Sequence, residues 1–311
     1  MSKAAHLDLP IRFGTVGTPQ SAPKNGGSAG GVQRIREMNL SALELAWVQS
    51  VRVSDEACAK IKAAGEQYDV ALSVHAPYYI NLNAVTEEMW LAGRERLLAA
   101  ARAGHKAGAT DIIFHPGSYM KAEPKVAVKI STERLSEVSD ALRQEKCAVT
   151  LRPETMGKSA MLGTLEETIA WSREIENVLP CVDFAHLHAR PGDGSFNSYA
   201  EFTDALRLIA SSLGERGIKH MHIHFSGIEY TAKGEKRHLN LPDSDMKFKD
   251  FFKALADLGA HGRVLSETPN MEEGAVLMQN TYQRAMKATQ RMRNVPIPLL
   301  EMPPAGRDRG R

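Results

Sequence analysis

Short apolar runs punctuate this chain, and each ends in a side chain able to bind a metal or a proton. Leu72-Ser73-Val74-His75-Ala76-Pro77 and Ile112-Ile113-Phe114-His115-Pro116-Gly117 are two of them, and comparable runs further on close at Glu154, Asp183, His186, His222 and Glu267. Runs of this length and β-branched content read as buried parallel strands when a helical stretch separates each from the next. Strands are expected at residues 11–16, 42–47, 71–75, 111–115, 147–154, 178–186, 220–225 and 263–267. Helical patterns follow them at 31–38, 54–67, 87–107, 124–144, 164–175, 199–214, 247–258 and 272–289. Ser54 before Asp55 and Glu56, and Thr86 before Glu87 and Glu88, have the chemistry of N-caps followed by acids that complement the helix dipole.

Strand and helix alternating eight times select a parallel sheet with helices outside, and closure into a (β/α)8 TIM barrel is its economical form. The 311 residues would allow two domains, yet one barrel reaches this size, so a single domain is expected over 1–292. An open doubly wound sheet is the runner-up. It lacks its usual signature, because no GxGxxG follows the first strand, and the glycine cluster at 26–31 reads as a flexible loop. The Pro- and Arg-rich segment 293–311 reads as a flexible basic tail.

A hydrophobic fraction of 43% is ample for a large core, while a formal charge of +2 is far below that of a typical nucleic-acid module. A polyanionic partner would therefore be met by a local patch. Only Cys58, Cys147 and Cys181 are present, with no CxxC pair, so neither a disulfide framework nor a thiolate zinc site is signalled. With no bilayer-length apolar stretch and no signal-peptide core, the expected location is the cytoplasm, without a membrane partner.

All strands of a parallel barrel point their C-terminal ends at one face. His75, His115, Glu154, Asp183, His222 and Glu267 would then share a rim. Carboxylates and imidazoles crowded in one pocket repel and are costly to desolvate, and divalent cations neutralise them. A histidine–carboxylate set without cysteine favours zinc, with manganese or iron as alternatives. More candidates are present than one tetrahedral shell can use, which implies at least two ions, bridged by Glu154 or Asp183.

Taken together, Val74-His75-Ala76-Pro77-Tyr78-Tyr79-Ile80-Asn81-Leu82, Phe114-His115-Pro116-Gly117-Ser118, Glu154-Thr155-Met156-Gly157, Cys181-Val182-Asp183-Phe184-Ala185-His186, Met221-His222 and Leu265-Ser266-Glu267-Thr268 resemble the endonuclease IV family of apurinic/apyrimidinic endonucleases. The resemblance implies a trinuclear zinc site that cleaves duplex DNA on the 5′ side of an abasic residue, in a monomer. It assigns His75, His115 and Glu154 to a first ion, Glu154, Asp183, His222 and Glu267 to a second, and His186 and His238 to a third. Glu154 and Glu267 would be the catalytic carboxylates. Tyr78 and Tyr79 would wedge into the duplex, Arg52 would probe the gap left in the stack, and Ser118, Tyr119, Lys158 and Ser159 stand where phosphate contacts would be useful.

Two positions depart from the family pattern. An aspartate two residues before the second histidine completes the third site in the family, and here Lys236 stands there, in Gly234-Glu235-Lys236-Arg237-His238. Three readings stand: Glu235 replaces the missing carboxylate, Lys236 contacts a DNA phosphate directly, or Lys236 is a solvated surface residue. The second departure is His224, where the family has a polar amide. Two residues after His222 on a strand, it faces the same side and suits an extra ligand or a hydrogen-bond donor behind the ligands. The rival function is a metal-dependent sugar isomerase or epimerase on the same barrel, which would use similar residues around one or two ions.

Overall fold

The computed structural model describes residues 9–293. Its barrel strands are β1 (Ile11–Val16), β2 (Ala42–Ala46), β3 (Ala71–His75), β4 (Asp111–Phe114), β5 (Thr150–Pro153), β6 (Cys181–Asp183), β7 (Met221–Phe225) and β10 (Gly262–Ser266). They pair in parallel in the order β5-β4-β3-β2-β1-β10-β7-β6. Parallel bridges Leu151↔Val178 and Glu154↔Cys181 join β5 to β6 and close the ring. The helices are α1 (Gly27–Glu37), α2 (Asp55–Tyr68), α3 (Glu87–Lys106), α4 (Pro124–Gln144), α5 (Leu165–Glu174), α6 (Phe184–Ala189), α7 (Tyr199–Lys219), α8 (Phe248–Leu258) and α9 (Glu272–Arg293). Every expected strand and helix has a counterpart, and the TIM barrel is the fold. The tail expected at 293–311 lies outside the described residues, apart from Arg293 at the end of α9. Among the described residues no helix is long and apolar enough to cross a membrane.

Local chemistry sets the helix starts. The Ser54 hydroxyl accepts from the Ala57 amide at 3.1 Å, Thr86 caps α3 in the same way, and Thr164 with Glu167 forms a reciprocal capping box on α5. The glycine cluster is a correction: residues from Gly27 onward are the first turns of α1 rather than a loop. Gly31 lies against Thr18, where a Cβ would come within 2.8 Å of Cγ2, so small residues let this helix close onto the loop after β1.

The strand expected at 178–186 is shorter than its apolar run. It stops at Asp183, whose carboxylate accepts from the His186 amide at 2.7 Å and so N-caps α6. An antiparallel hairpin, β8 (Gly227–Thr231) and β9 (Gly234–Leu239), follows β7 and was not expected. Its signals were the alternation in Ile228-Glu229-Tyr230-Thr231 and the turn glycine Gly234, at φ +92°.

The apolar core lies between sheet and helices. Phe225 stacks on Phe251 at 4.5 Å, and Phe13 packs on Phe252 and Tyr282 at 6.0 and 5.5 Å. The barrel interior is polar: Thr15, Glu44, Ser73, Arg152, Cys181, His222, His224 and Ser266 are all buried. At its floor Asp111 pairs with Arg152 at 2.5 Å and with Arg263 at 2.9 Å. This ion triad plugs the end opposite the expected rim.

Candidate metal centre

Three groups of nitrogen and oxygen ligands meet at the C-terminal mouth of the barrel. In the first, His75 ends β3 and His115 and Glu154 follow β4 and β5. Glu154 Oε2 lies 3.4 Å from His75 Nε2 and 3.3 Å from His115 Nε2. His75 Nδ1 sits 2.9 Å from the Ala76 carbonyl, a contact that requires the proton on Nδ1 and leaves the Nε2 lone pair facing Glu154.

The second group is Glu154, Asp183, His224 and Glu267, whose ligand atoms all lie within 4.8 Å of one another. His224 Nδ1 is 3.3 Å from Glu154 Oε1 and 3.6 Å from Glu267 Oε1. The two oxygens of Glu154 thus face different groups, which is the geometry of a bridging carboxylate. His222, expected here, is not brought into this set. It lies two residues earlier on β7, one pleat deeper in the barrel, and its Nε2 meets Glu44 Oε2 at 2.9 Å. His224 occupies the position expected of it. The two share a face of the strand, so residue type and alternation could not tell them apart; depth along the barrel axis does.

His186, Glu235 and His238 form the third group. His186 on α6 points Nδ1 at the Thr155 carbonyl, 2.9 Å away, and Nε2 at Glu235 Oε2, 3.5 Å away. The departure at Lys236 has a backbone explanation. On a regular strand residues 235 and 238 would face opposite ways. In β9 the register pairs Tyr230 with Glu235 and Glu229 with Arg237, so Lys236 is the extra residue of a bulge, and the alternation resets across it. Glu235 and His238 then reach the same pocket. Gly157 makes room, since a Cβ there would meet the Glu235 side chain at 2.7 Å. Lys236 itself turns outward and pairs with Glu229, away from the ligands, so the expected direct phosphate role has no support from its position.

The electrostatics follow from this crowding. Burial pushes the Asp183 carboxyl up to about 7, reinforced by Glu267 and Glu154 and opposed by His186. Burial also pushes Glu154 up, yet His224 and His115 outweigh it and hold the carboxyl well below its usual range. His186 and His224 are driven the other way: burial disfavours their charged forms, but Asp183 and Glu154 around His186, and Cys181, Glu44 and Glu267 around His224, raise both well above the ordinary imidazole value. Without a cation the pocket must bind protons to balance its carboxylates. Glu154 Oε2, Asp183 Oδ2 and His186 Nε2 are also buried with no hydrogen-bond partner. Orphaned acceptors and donors of this kind, in an N/O set without a thiolate, fit divalent metal ions.

The other expected residues lie around the rim. Tyr78 and Tyr79 are 47% and 66% exposed in the loop after β3, and the Tyr78 ring stands 5.4 Å from that of His75 and 5.1 Å from that of His115. Arg52 is exposed in the loop after β2, which is tied to the tyrosines by Tyr78 N–H donating to the Val48 carbonyl at 3.0 Å. The Tyr119 hydroxyl is engaged by Glu167 at 2.6 Å. Ser118 pairs with Met161 through an antiparallel bridge that braces the loop carrying Lys158 and Ser159. Sequence reasoning missed Arg190, which holds this loop through the carbonyls of Met156, Lys158 and Met161 at 2.8–3.0 Å. It also missed Glu44, in the apolar run of β2.

Fold and site together define a TIM barrel with a candidate polynuclear metal centre at its mouth. The chain belongs to the xylose isomerase-like TIM barrel family, whose model matches residues 32–293. An "uncharacterized protein" of Methanocaldococcus jannaschii is 38% identical over 275 residues, covering 88% of this chain and 98% of its own length. A "probable endonuclease 4" of Shouchella clausii is 30% identical over 174 residues, 54% of this chain and 56% of its own. The match thus spans little more than half of that relative. Two solved structures share the fold: endonuclease IV from Thermus thermophilus at TM-score 0.68, with 17% identity and 89% and 99% coverage of the two chains, and a D-tagatose 3-epimerase-like protein at 0.67, with 18%, 91% and 99%.

Proposed function

We propose that this protein is a zinc-dependent endonuclease that hydrolyses the DNA phosphodiester 5′ to an abasic site. The observation that carries the reading is the third ligand group, His186, Glu235 and His238, joined to the two that share Glu154. A sugar isomerase or epimerase needs one or two ions, and a third group built by a bulge is surplus to it. Bound divalent ions would lower the pKa of an attacking water and neutralise the phosphate and the leaving 3′ oxygen. In this reading His75, His115 and Glu154 would hold the first ion, Glu154, Asp183, His224 and Glu267 the second, and His186, Glu235 and His238 the third. Glu154 would serve both of the first two groups, and Glu267, at the pocket edge, is suited to accept the proton of the water. Tyr78 and Tyr79, exposed beside the first ion's histidines, supply apolar faces that can enter the stack where a base is missing. Arg52 extends the same rim.

Purified protein incubated with a duplex carrying one abasic analogue is expected to nick it on the 5′ side, and a chelator to abolish the nick. Epimerisation of a ketose without any nicking would select the rival reading. Changing both Tyr78 and Tyr79 to alanine is expected to weaken abasic-duplex binding by about thirtyfold or more, at roughly 1–3 kcal/mol for each of two lost stacking contacts, with much less effect on intact duplex. Equal loss on both duplexes would reduce the tyrosines to generic contacts. For the third group, Glu235→Gln is expected to release one metal equivalent at a chelator concentration the unaltered protein withstands, whereas Lys236→Ala should release none. Elemental analysis during graded chelation reads both.

A further inference from the structure

Beneath the ligands lies a layer of ionisable groups that the proposed chemistry does not use. Glu44, buried on β2, is at its centre. Its Oε2 accepts from Ser73 Oγ at 2.9 Å and from His222 Nε2 at 2.9 Å, while its Oε1 lies 3.0 Å from His224 Nε2, an ion-pair distance at which neither atom yet makes a hydrogen bond. One carboxylate therefore spans the two histidines that β7 presents to the barrel interior.

The two nitrogens of His224 meet opposite demands. Nδ1 faces Glu154 and Glu267, so with a cation among those carboxylates it must offer a lone pair. The single proton of the neutral ring then belongs on Nε2, where Glu44 Oε1 is the carboxylate in reach. His75 and His186 solve the same problem with backbone carbonyls, those of Ala76 and Thr155. A carboxylate behind an imidazole fixes its tautomer and also strengthens it as a donor.

We propose that Glu44 is the positioning residue of the metal centre. It holds His224 as the Nε2–H tautomer with Nδ1 aimed between Glu154, Asp183 and Glu267. His222, bound to the other oxygen, steadies Glu44 and is not itself a ligand. The inference rests on the metal-centre reading. It competes with one specific arrangement, because Cys181, His222 and His224 also bring ligand atoms within 4.8 Å of one another and could take an ion at this depth.

The test uses the full chain loaded with zinc or cobalt(II). Glu44→Gln keeps the side-chain volume and removes the charge. It is expected to weaken binding of one equivalent by about 10- to 100-fold in competition with a chromophoric chelator, and to change the cobalt visible spectrum. The other equivalents should be retained, and His222→Gln should retain all of them. In the zinc-loaded unaltered protein, imidazole 15N spectra should show His224 as the Nε2–H tautomer, a readout that holds even if Glu44→Gln folds poorly. Unchanged affinity and spectrum in Glu44→Gln, or an Nδ1–H tautomer, would overturn the proposal while leaving the metal centre standing. Loss of an equivalent in Cys181→Ser, with a thiolate-to-cobalt charge-transfer band in the unaltered protein, would overturn it in favour of the deeper site. Absence of bound metal in the unaltered protein would instead defeat the metal-centre reading itself.

Discussion

Glu154→Gln is expected to abolish phosphodiester cleavage, lowering the rate by at least about a thousandfold, because it removes a charged bridge shared by two ligand groups. Oε2 serves His75 and His115 and Oε1 serves His224, so a neutral amide weakens both sets of contacts together. Metal content should fall by at least one equivalent. The DNA contact proposed for Tyr78 and Tyr79 should survive, since both lie on the loop after β3 and hold no part of the carboxylate. Single-turnover cleavage and elemental analysis on the same preparation check this. Near-normal activity with a full metal complement would show that the catalytic ions sit elsewhere.

Asp111→Asn is expected to produce the largest loss of stability, about 3–5 kcal/mol, because it leaves the buried Arg152 guanidinium and the partly buried one of Arg263 without their anion. That corresponds to a fall in melting temperature on the order of 5–15 °C. Burial raises the Asp111 carboxyl, but Arg152 and Arg263 outweigh it and hold the group well below its ordinary range. The sign of the linkage follows: the contribution is fully present above the unfolded-state pKa of about 4 and is lost as pH falls through the lower folded value. Melting curves of the two proteins should therefore differ most near neutrality and converge in strong acid. A pH-independent gap would mean that the amide fails through packing rather than charge.

These two sites occupy opposite ends of the same barrel, and the difference between them is physical. At the floor the chain supplies both signs of charge itself, Asp111 against Arg152 and Arg263. At the mouth the acids sit among imidazoles, and buried atoms of Glu154, Asp183 and His186 make no hydrogen bond. Ligand-type side chains left in that state at one barrel mouth form groups that could hold a metal ion.

The barrel was legible in the sequence because its signals are local. A parallel strand buried on both faces must be a short apolar run, and a crossover helix must separate it from the next, so eight repeats of that pattern leave few alternatives. The capping chemistry of Ser54 and Thr86 is equally local, and so is the placing of His75, His115, Glu154 and Glu267 at strand ends. What only the tertiary structure decided was depth and facing. His222 and His224 share residue type, strand and side, and only their height along the barrel axis sends one to Glu44 and the other to the ligand group. Glu235 and His238 have the wrong spacing for one face of a strand, and only the bulge at Lys236, formed by pairing with β8, turns both toward His186. Glu44 looked like one polar residue in an apolar run, until closure of the barrel brought it against His222, 178 positions away. Periodicity along a chain is set by short-range sterics, whereas the height of a side chain in a closed barrel is set by how every strand registers against its neighbours.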